Sequence, residues 1–428
     1  MNRSQKMTAA ALQYGFSVLS GLATFIALKL LQHFAPSDES FSRLSLILLS
    51  FTTFQIITDL GTQTEFLRTW HTATPERRSL LSHILIHSRL LLGGIALAAA
   101  GIYGLASGFS RELMLSFMVY HLAFLPFALI STADSLFLAR HEYAKAIISR
   151  VARIFSLFLF MVAAVFVPEH AEVISPLLST FSFSVAAVFV WLKILRPMIR
   201  TEESPSLISR HWWQHSAELS KSFIRGSSLA AIITGIQVIH GIAAHAILVR
   251  TVGEEKLTPL NTAVALATPA ILGFQTLNQI INPSLPSWVQ LTQRELISRF
   301  ATFFLRSVLI LIAMSAGLWG AQAAGLVTWF FPMTSYAVLP LCQFLIVAQW
   351  MLNLAVPGIS LCQYQRRYLS LFALLIVSVV SALTLQLWWN RLLLEHAYLL
   401  GLAITGFFLA AGTITLSVFR QPTLQASS

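Results

Sequence analysis

Charge is what this 428-residue chain has least of. Charged residues make up 11% of it and hydrophobic ones 56%, where a soluble domain carries about 25% charged residues. A water-soluble protein of this length could not hide so much apolar surface, so the soluble classes are excluded and an integral membrane protein remains. Cysteine is nearly missing too. Cys342 and Cys362 offer neither a disulfide framework nor a metal-ligand spacing. No GxxxxGK[ST] sequence is present to cradle a nucleotide phosphate, and no GxSxG, HExxH or CxxC cluster appears. The carboxylates are too scattered to nominate a general acid/base pair. These absences predict a protein that is not an enzyme and needs no cofactor or metal.

The basic excess, a net charge of +11, would point to nucleic acid in a soluble protein. Here the Lys and Arg residues fall in the breaks between apolar runs, where they set topology, and no nucleic-acid partner is expected. A helix needs about 20 apolar residues to cross a bilayer core of ~30 Å. Such runs lie near 9–31, 41–61, 86–107, 113–139, 150–167 and 174–195, and again near 226–249, 259–282, 300–321, 335–358, 368–389 and 397–419. The first, after Arg3 and Lys6, is too long for a signal-peptide core and lacks a small-residue cleavage site, so it reads as a span.

Alternate breaks carry the basic residues. One set holds Arg3, Lys6, Arg68, Arg77, Arg78, Arg140, Lys145, Arg150, Arg153, Arg294, Arg299, Arg366, Arg367 and Arg420, with six more in one connector. The other set holds only Arg111, Arg250, Lys256 and Arg391. The positive-inside rule then puts both termini and the connector in the cytoplasm, which requires an even number of spans. That connector, about 193–225, contains Lys193, Arg196, Arg200, Arg210, Lys221 and Arg225, is interrupted by Pro197 and Pro205, and carries Trp212–Trp213 as an interfacial anchor. The expected organisation is all-α: about twelve transmembrane helices in two six-helix lobes, 1–195 and 226–428, joined by a basic linker, 196–225. Each half opens with a long span, a short loop with acidic residues (Asp38 and Glu39; Glu254 and Glu255) and a second span ending in turn residues (Asp59-Leu60-Gly61; Asn282-Pro283). Six-plus-six repeats are a common transporter plan. The outer loops are short, which leaves no room for the extracytoplasmic domain of a membrane transferase or polymerase.

Several stretches carry a family resemblance. The opening span leads through PSDESFSRLSLILLSF to a second span ending in TDLGTQTEFLR. FALISTADSLFLARHEYAKAIISRVARIFSLFLF covers spans four and five, and LVRTVGEEKLTPLNTAVALATPAILGFQTLNQIINPSLPSW covers spans seven and eight. In these the chain resembles the multidrug/oligosaccharidyl-lipid/polysaccharide (MOP) exporter superfamily, in particular its bacterial polysaccharide flippases. It departs from them at Ser40-Phe41-Ser42-Arg43, where a Gly-aromatic pair is usual, and at His240 and His245, where an acidic residue often stands. The resemblance implies a V-shaped pair of six-helix lobes in the bacterial inner membrane. It also implies alternating-access movement of a lipid-linked, undecaprenyl-pyrophosphate oligosaccharide for surface polysaccharide and lipopolysaccharide assembly, beside other polysaccharide-assembly membrane proteins. A drug/cation antiporter of the same superfamily, a membrane-bound glycan transferase or polymerase, and a non-transporting scaffold are the alternatives.

Ionisable groups within spans cost about 2.5–3.5 kcal/mol at a helix centre, so they are the candidates for function. Lys29 either meets a phosphate in a cavity or snorkels to the interface, and Arg43 is read as snorkelling. Asp59 is a gating candidate or a loop-bracing carboxylate paired with an arginine such as Arg68. Asp134 is the most deeply placed carboxylate, either in an ion pair or protonatable. Arg306 either offers a guanidinium to a pyrophosphate or reaches back to the interface. His240 and His245 lie about 140° apart on a helix, against a two-histidine metal site, whereas Gln237 and His240 share a face. Gln275, Gln279 and Asn282 form a stripe at i, i+4, i+7 with Asn278 beside it, and Gln349 and Asn353 repeat the spacing. Such amides suit sugar hydroxyls in a hydrated cavity or hydrogen bonds between helices.

Overall fold

The structure, a computed structural model, describes residues 3–70, 73–140, 142, 145–200, 221, 223, 242–243, 245–250, 258–281, 285–330, 338–365, 367–389 and 394–419. Among them there are helices and turns and no strand. The chain divides into two compact units, Met1–Ile242 with Gly253–Thr258, and Ala243–Val252 with Pro259–Ser428.

In the first unit the helices are α1 (Arg3–Phe34), α2 (Asp38–Gln55), α3 (Thr62–Trp70), α4 (Pro75–Ser107), α5 (Arg111–His121), α6 (Phe124–Ala139), α7 (Ile148–Phe166), α8 (Ala171–Val190) and α9 (Arg196–Arg200). The second contains α10 (Thr258–Ile281), α11 (Leu285–Trp288), α12 (Gln293–Ala323), α13 (Leu326–Phe330), α14 (Val338–Tyr364), α15 (Tyr368–Trp389) and α16 (Leu394–Phe419). Eight helical stretches among the described residues are long and apolar enough to cross a membrane. These are Asp38–Thr58, Arg77–Ser107, Arg111–Ala139, Ile148–Phe166, Pro168–Met198, Gln293–Ala323, Val338–Cys362 and Leu399–Val418. The run predicted at 226–249 lies mostly outside the described residues. The protein is an all-α, multi-pass membrane protein.

Local sequence explains the boundaries. Ser37 caps α2 by accepting from the Ser40 amide (3.1 Å), and Asp38 and Glu39 in the first turn complement its dipole. Thr292 and Glu295 form a reciprocal capping box on α12. Pro75 opens α4 and Gly108, at φ +74°, closes it in the left-handed conformation. The fourth predicted span is interrupted: α5 and α6 meet at Leu122–Ala123.

Packing follows the rules of a lipid solvent. On α7 the exposed stripe is Val151, Phe155 and Phe158, and on α8 it is Val173, Leu177, Phe181, Val185 and Val188. The faces where these helices meet are small: Ala152, Ser156, Ala163 and Ala164 on α7, and Ser175, Ser179, Ser182 and Ala187 on α8. Small side chains let backbones approach where no hydrophobic force joins helices. The Ser156 and Ser179 hydroxyls are hydrogen-bonded across that seam. The core of the first unit is aromatic: Phe51 stacks on Phe124 (4.8 Å) and Phe183 (5.5 Å), and Phe54 packs edge-on against Tyr103 and Phe117.

Candidate functional site

The turn between α2 and α3 is the most heavily braced polar point of the first unit. Leu60 has φ +35° and Gly61 φ +79°, so the chain reverses in a conformation that a β-branched residue would resist. Asp59 holds this turn: its Oδ1 accepts from the Gln63 amide (2.9 Å) and the Thr62 hydroxyl (2.8 Å). The same oxygen accepts from Arg89 Nη2 of α4 at 2.9 Å. Arg89 also donates from Nη1 to Ser131 Oγ of α6 (3.3 Å) and from Nε to Thr62 Oγ1 (3.4 Å). Asp59 is therefore a loop-bracing carboxylate paired with Arg89; the Arg68 side chain lies outside the described residues. Linear spacing could not show this, because the partner stands thirty residues away on another helix. Arg89 is 1% exposed and the Asp59 side chain 43%, so the arginine is the partner whose burial needs compensation.

Asp134 has a structural role that sequence alone left open. It projects from α6 to the start of α7, accepting from the amides of Ile148 (2.9 Å) and Ser149 (3.2 Å) and from the Ser149 hydroxyl. A carboxylate placed there satisfies two orphan donors of a helix N-terminus and favours its dipole. Arg150 is the cation beside it.

Arg153, one turn further along α7, reads from sequence only as a topological charge. Its Nη2 donates to Thr52 Oγ1 (2.7 Å) and its Nη1 to Gln55 Oε1 (3.2 Å), both on α2. Arg43 is engaged at the opposite end of α2, with Glu39 at 2.7 Å and Glu172 of α8 at 3.5 Å. It is an ion-paired residue, not a free snorkelling one. Lys29 is half-buried on α1.

In the second unit, Asn278 Nδ2 of α10 donates to Asn353 Oδ1 (2.9 Å) and to the Asn353 carbonyl (3.2 Å) of α14, while Asn353 Nδ2 donates to the Gln349 carbonyl (2.8 Å). The pair that closes between α10 and α14 thus uses Asn278, the residue beside the predicted stripe. Gln275 and Gln279 lie on α10, but their side chains, together with Gln237, His240 and Asn282, lie outside the described residues. Arg306 is exposed on α12, off the face formed by Phe300, Phe303 and Ser307. Trp350 Nε1 donates to Ser307 Oγ (3.1 Å), and Gln343 Nε2 to Ser315 Oγ (2.8 Å), tying α14 to α12. No group of three metal-ligating side chains occurs among the described residues.

The fold is similar to those of several solved structures. The MATE multidrug transporter DinF-BH superposes with a TM-score of 0.66 at 12% identity, covering 98% of each chain. A multidrug resistance MATE family transporter of the MOP superfamily, in its inward-facing conformation, gives 0.63 at 14% identity over 92% of each chain. The lipid II flippase MurJ, inward closed, gives 0.63 at 11% identity, covering 96% of this chain and 88% of that one. The chain has the fold of the MOP-superfamily transporters. No family model matches the sequence, and no curated protein does.

Proposed function

We propose that this protein is a flippase that moves a lipid-linked oligosaccharide, carried on undecaprenyl pyrophosphate, across the bacterial inner membrane by alternating access for surface polysaccharide assembly. The fold is shared by drug transporters and by a lipid II flippase, so the choice rests on the intramembrane charges. The observation that carries it is the state of Asp134. A cation antiporter needs a deep carboxylate free to exchange its ion, and this one is committed to three donors at the head of α7. Cationic groups supply the complementary chemistry for a diphosphate. In the proposed mechanism Lys29 and Arg306 hold it, Gln275 and Gln279 contact sugar, and the polyprenyl tail stays in the bilayer. Asp59, braced by Arg89, acts as a structural element of the turn that conformational change must preserve.

The antiporter is the second reading, favoured by the equal likeness to MATE transporters. Sealed vesicles containing the purified protein and a lipid-linked oligosaccharide separate the two. Glycan reaching the far leaflet, and falling in Lys29→Ala and Arg306→Ala, supports the flippase. Exchange of cationic dyes for protons, lost in Asp134→Asn, supports the antiporter.

A further inference from the structure

Helix α8 does not end as a plain α-helix. Residues Trp191–Leu195 form a single π turn, closed by the Arg196 amide donating to the Trp191 carbonyl, and α9 follows directly. Pro197, which has no amide to give to the helical ladder, comes next after Arg196, and the widened turn accommodates that break. In an α-helix, residues five apart lie about 140° apart around the axis. The π turn instead brings Arg196 round towards Trp191. The segment is held in place from within. Leu195 is fully buried, the π turn packs on α6 and α9 packs on α4. Arg140 Nη2, at the end of α6, donates to the Met198 carbonyl (3.2 Å).

The outward side carries two chemistries. Val185, Val188 and Leu192 continue the exposed apolar stripe of α8, and Arg196, four residues beyond Leu192, ends it. Trp191, Leu192, Lys193 and Arg196 are all exposed. Among the described residues no carboxylate pairs with either cation. Topology accounts for the two charges. It does not call for a widened turn that sets one of them beside an exposed indole at the end of an apolar stripe. An apolar track, an indole at its end and two cations beyond it match, in order, the acyl chain, glycerol region and phosphate of an anionic phospholipid.

We propose that Trp191, Lys193 and Arg196 form a binding site for an anionic phospholipid of the leaflet at the connector end of α8. Arg196 and Lys193 take the phosphate, Trp191 lies at the glycerol level, and an acyl chain runs along Leu192 and Val188. The site is independent of the flippase reading, because it concerns the lipid around the fold and not the cargo.

Delipidated full-length protein is mixed with equal amounts of dioleoyl phosphatidylglycerol and dioleoyl phosphatidylcholine, and retained lipid is counted by native mass spectrometry. The parent is expected to retain phosphatidylglycerol in preference. Arg196→Gln and Lys193→Gln should each weaken that binding about fivefold, and the double variant about 25-fold. Arg196→Lys, which keeps the charge and loses the fork, should fall between parent and Arg196→Gln. Arg111→Gln, on an exposed arginine at the start of α5, should bind as the parent does. A second readout leaves the charges in place. The fluorescence difference between the parent and Trp191→Phe isolates one of the ten tryptophans, and brominated phosphatidylglycerol should quench it more than brominated phosphatidylcholine.

A parent that retains both lipids equally would overturn the proposal, as would unchanged affinity in Arg196→Gln and Lys193→Gln. An equal loss in Arg111→Gln would also overturn it, since binding would then follow net charge and not this site. If a charge variant does not fold, the quenching decides: equal quenching of Trp191 by the two brominated lipids sinks the site.

Discussion

The two units hold their helices together by different means. Beyond the small-residue seam of α7 and α8, the first uses charge and aromatic rings. Arg89 joins α4 to Asp59, Thr62 and Ser131, Asp134 joins α6 to α7, Arg153 joins α7 to α2, and Phe51 lies among stacked rings. The second uses close backbone approach and neutral pairs. A Cβ placed on Gly406 of α16 would lie 2.6 Å from the Leu352 amide nitrogen of α14, and one on Gly358 would overlap Thr413 Oγ1. Asn278, Asn353, Ser307 and Trp350 supply the hydrogen bonds. Buried ion pairs are costly to form and worse to break singly, whereas glycine contacts fail by steric overlap. The two units therefore carry different vulnerabilities.

The largest expected effect tests the charged lock. Asp59→Ala leaves Arg89 buried without its carboxylate and should cost about 3 kcal/mol, read as a lower midpoint of unfolding in mixed detergent micelles. Arg89→Met leaves Asp59, which is already half-exposed, and should cost less. If Arg89→Met proves the worse, the burial argument is inverted. Next comes the steric lock: Gly406→Val should cost about 1–3 kcal/mol by overpacking. Gly94→Ala in α4, where an added Cβ meets nothing within 4 Å, should gain about 0.4–1 kcal/mol. Equal effects at the two glycines would erase the distinction between the units. Asp134→Ala removes the cap of α7 and should cost about 1 kcal/mol, with Asp134→Asn costing less because one acceptor oxygen remains. The smallest effect belongs to the amide pair. Asn353→Leu should cost about 0.6 kcal/mol, and a much larger loss would give the neutral pairs the weight assigned here to close packing.

Eight spans are legible because twenty apolar residues in a row have few other uses, and those eight overlie predicted runs. Partnerships were less so. Asp59 could be read as bracing its own turn, since the chemistry of Asp59-Leu60-Gly61 is local. Its pairing with Arg89 could not, because Arg89 sits inside an apolar run where only depth marks it as unusual. That depth is the signal the sequence offers for Arg89. Asp134 stands out in the sequence as a deep carboxylate. Its use as a cap depends on how α6 returns into α7, which no spacing rule encodes. Asn278 was seen beside the amide stripe, and helix rotation decided which amide met Asn353.

The most direct test of the central claim is translocation in sealed vesicles containing purified protein and an undecaprenyl-pyrophosphate-linked oligosaccharide, scoring glycan exposed on the far leaflet. The account predicts that the parent moves the glycan lipid, that Lys29→Ala and Arg306→Ala slow it, and that Asp134→Asn retains transport. A parent that moves no glycan lipid but exchanges cationic dyes for protons, and loses that exchange in Asp134→Asn, would contradict it.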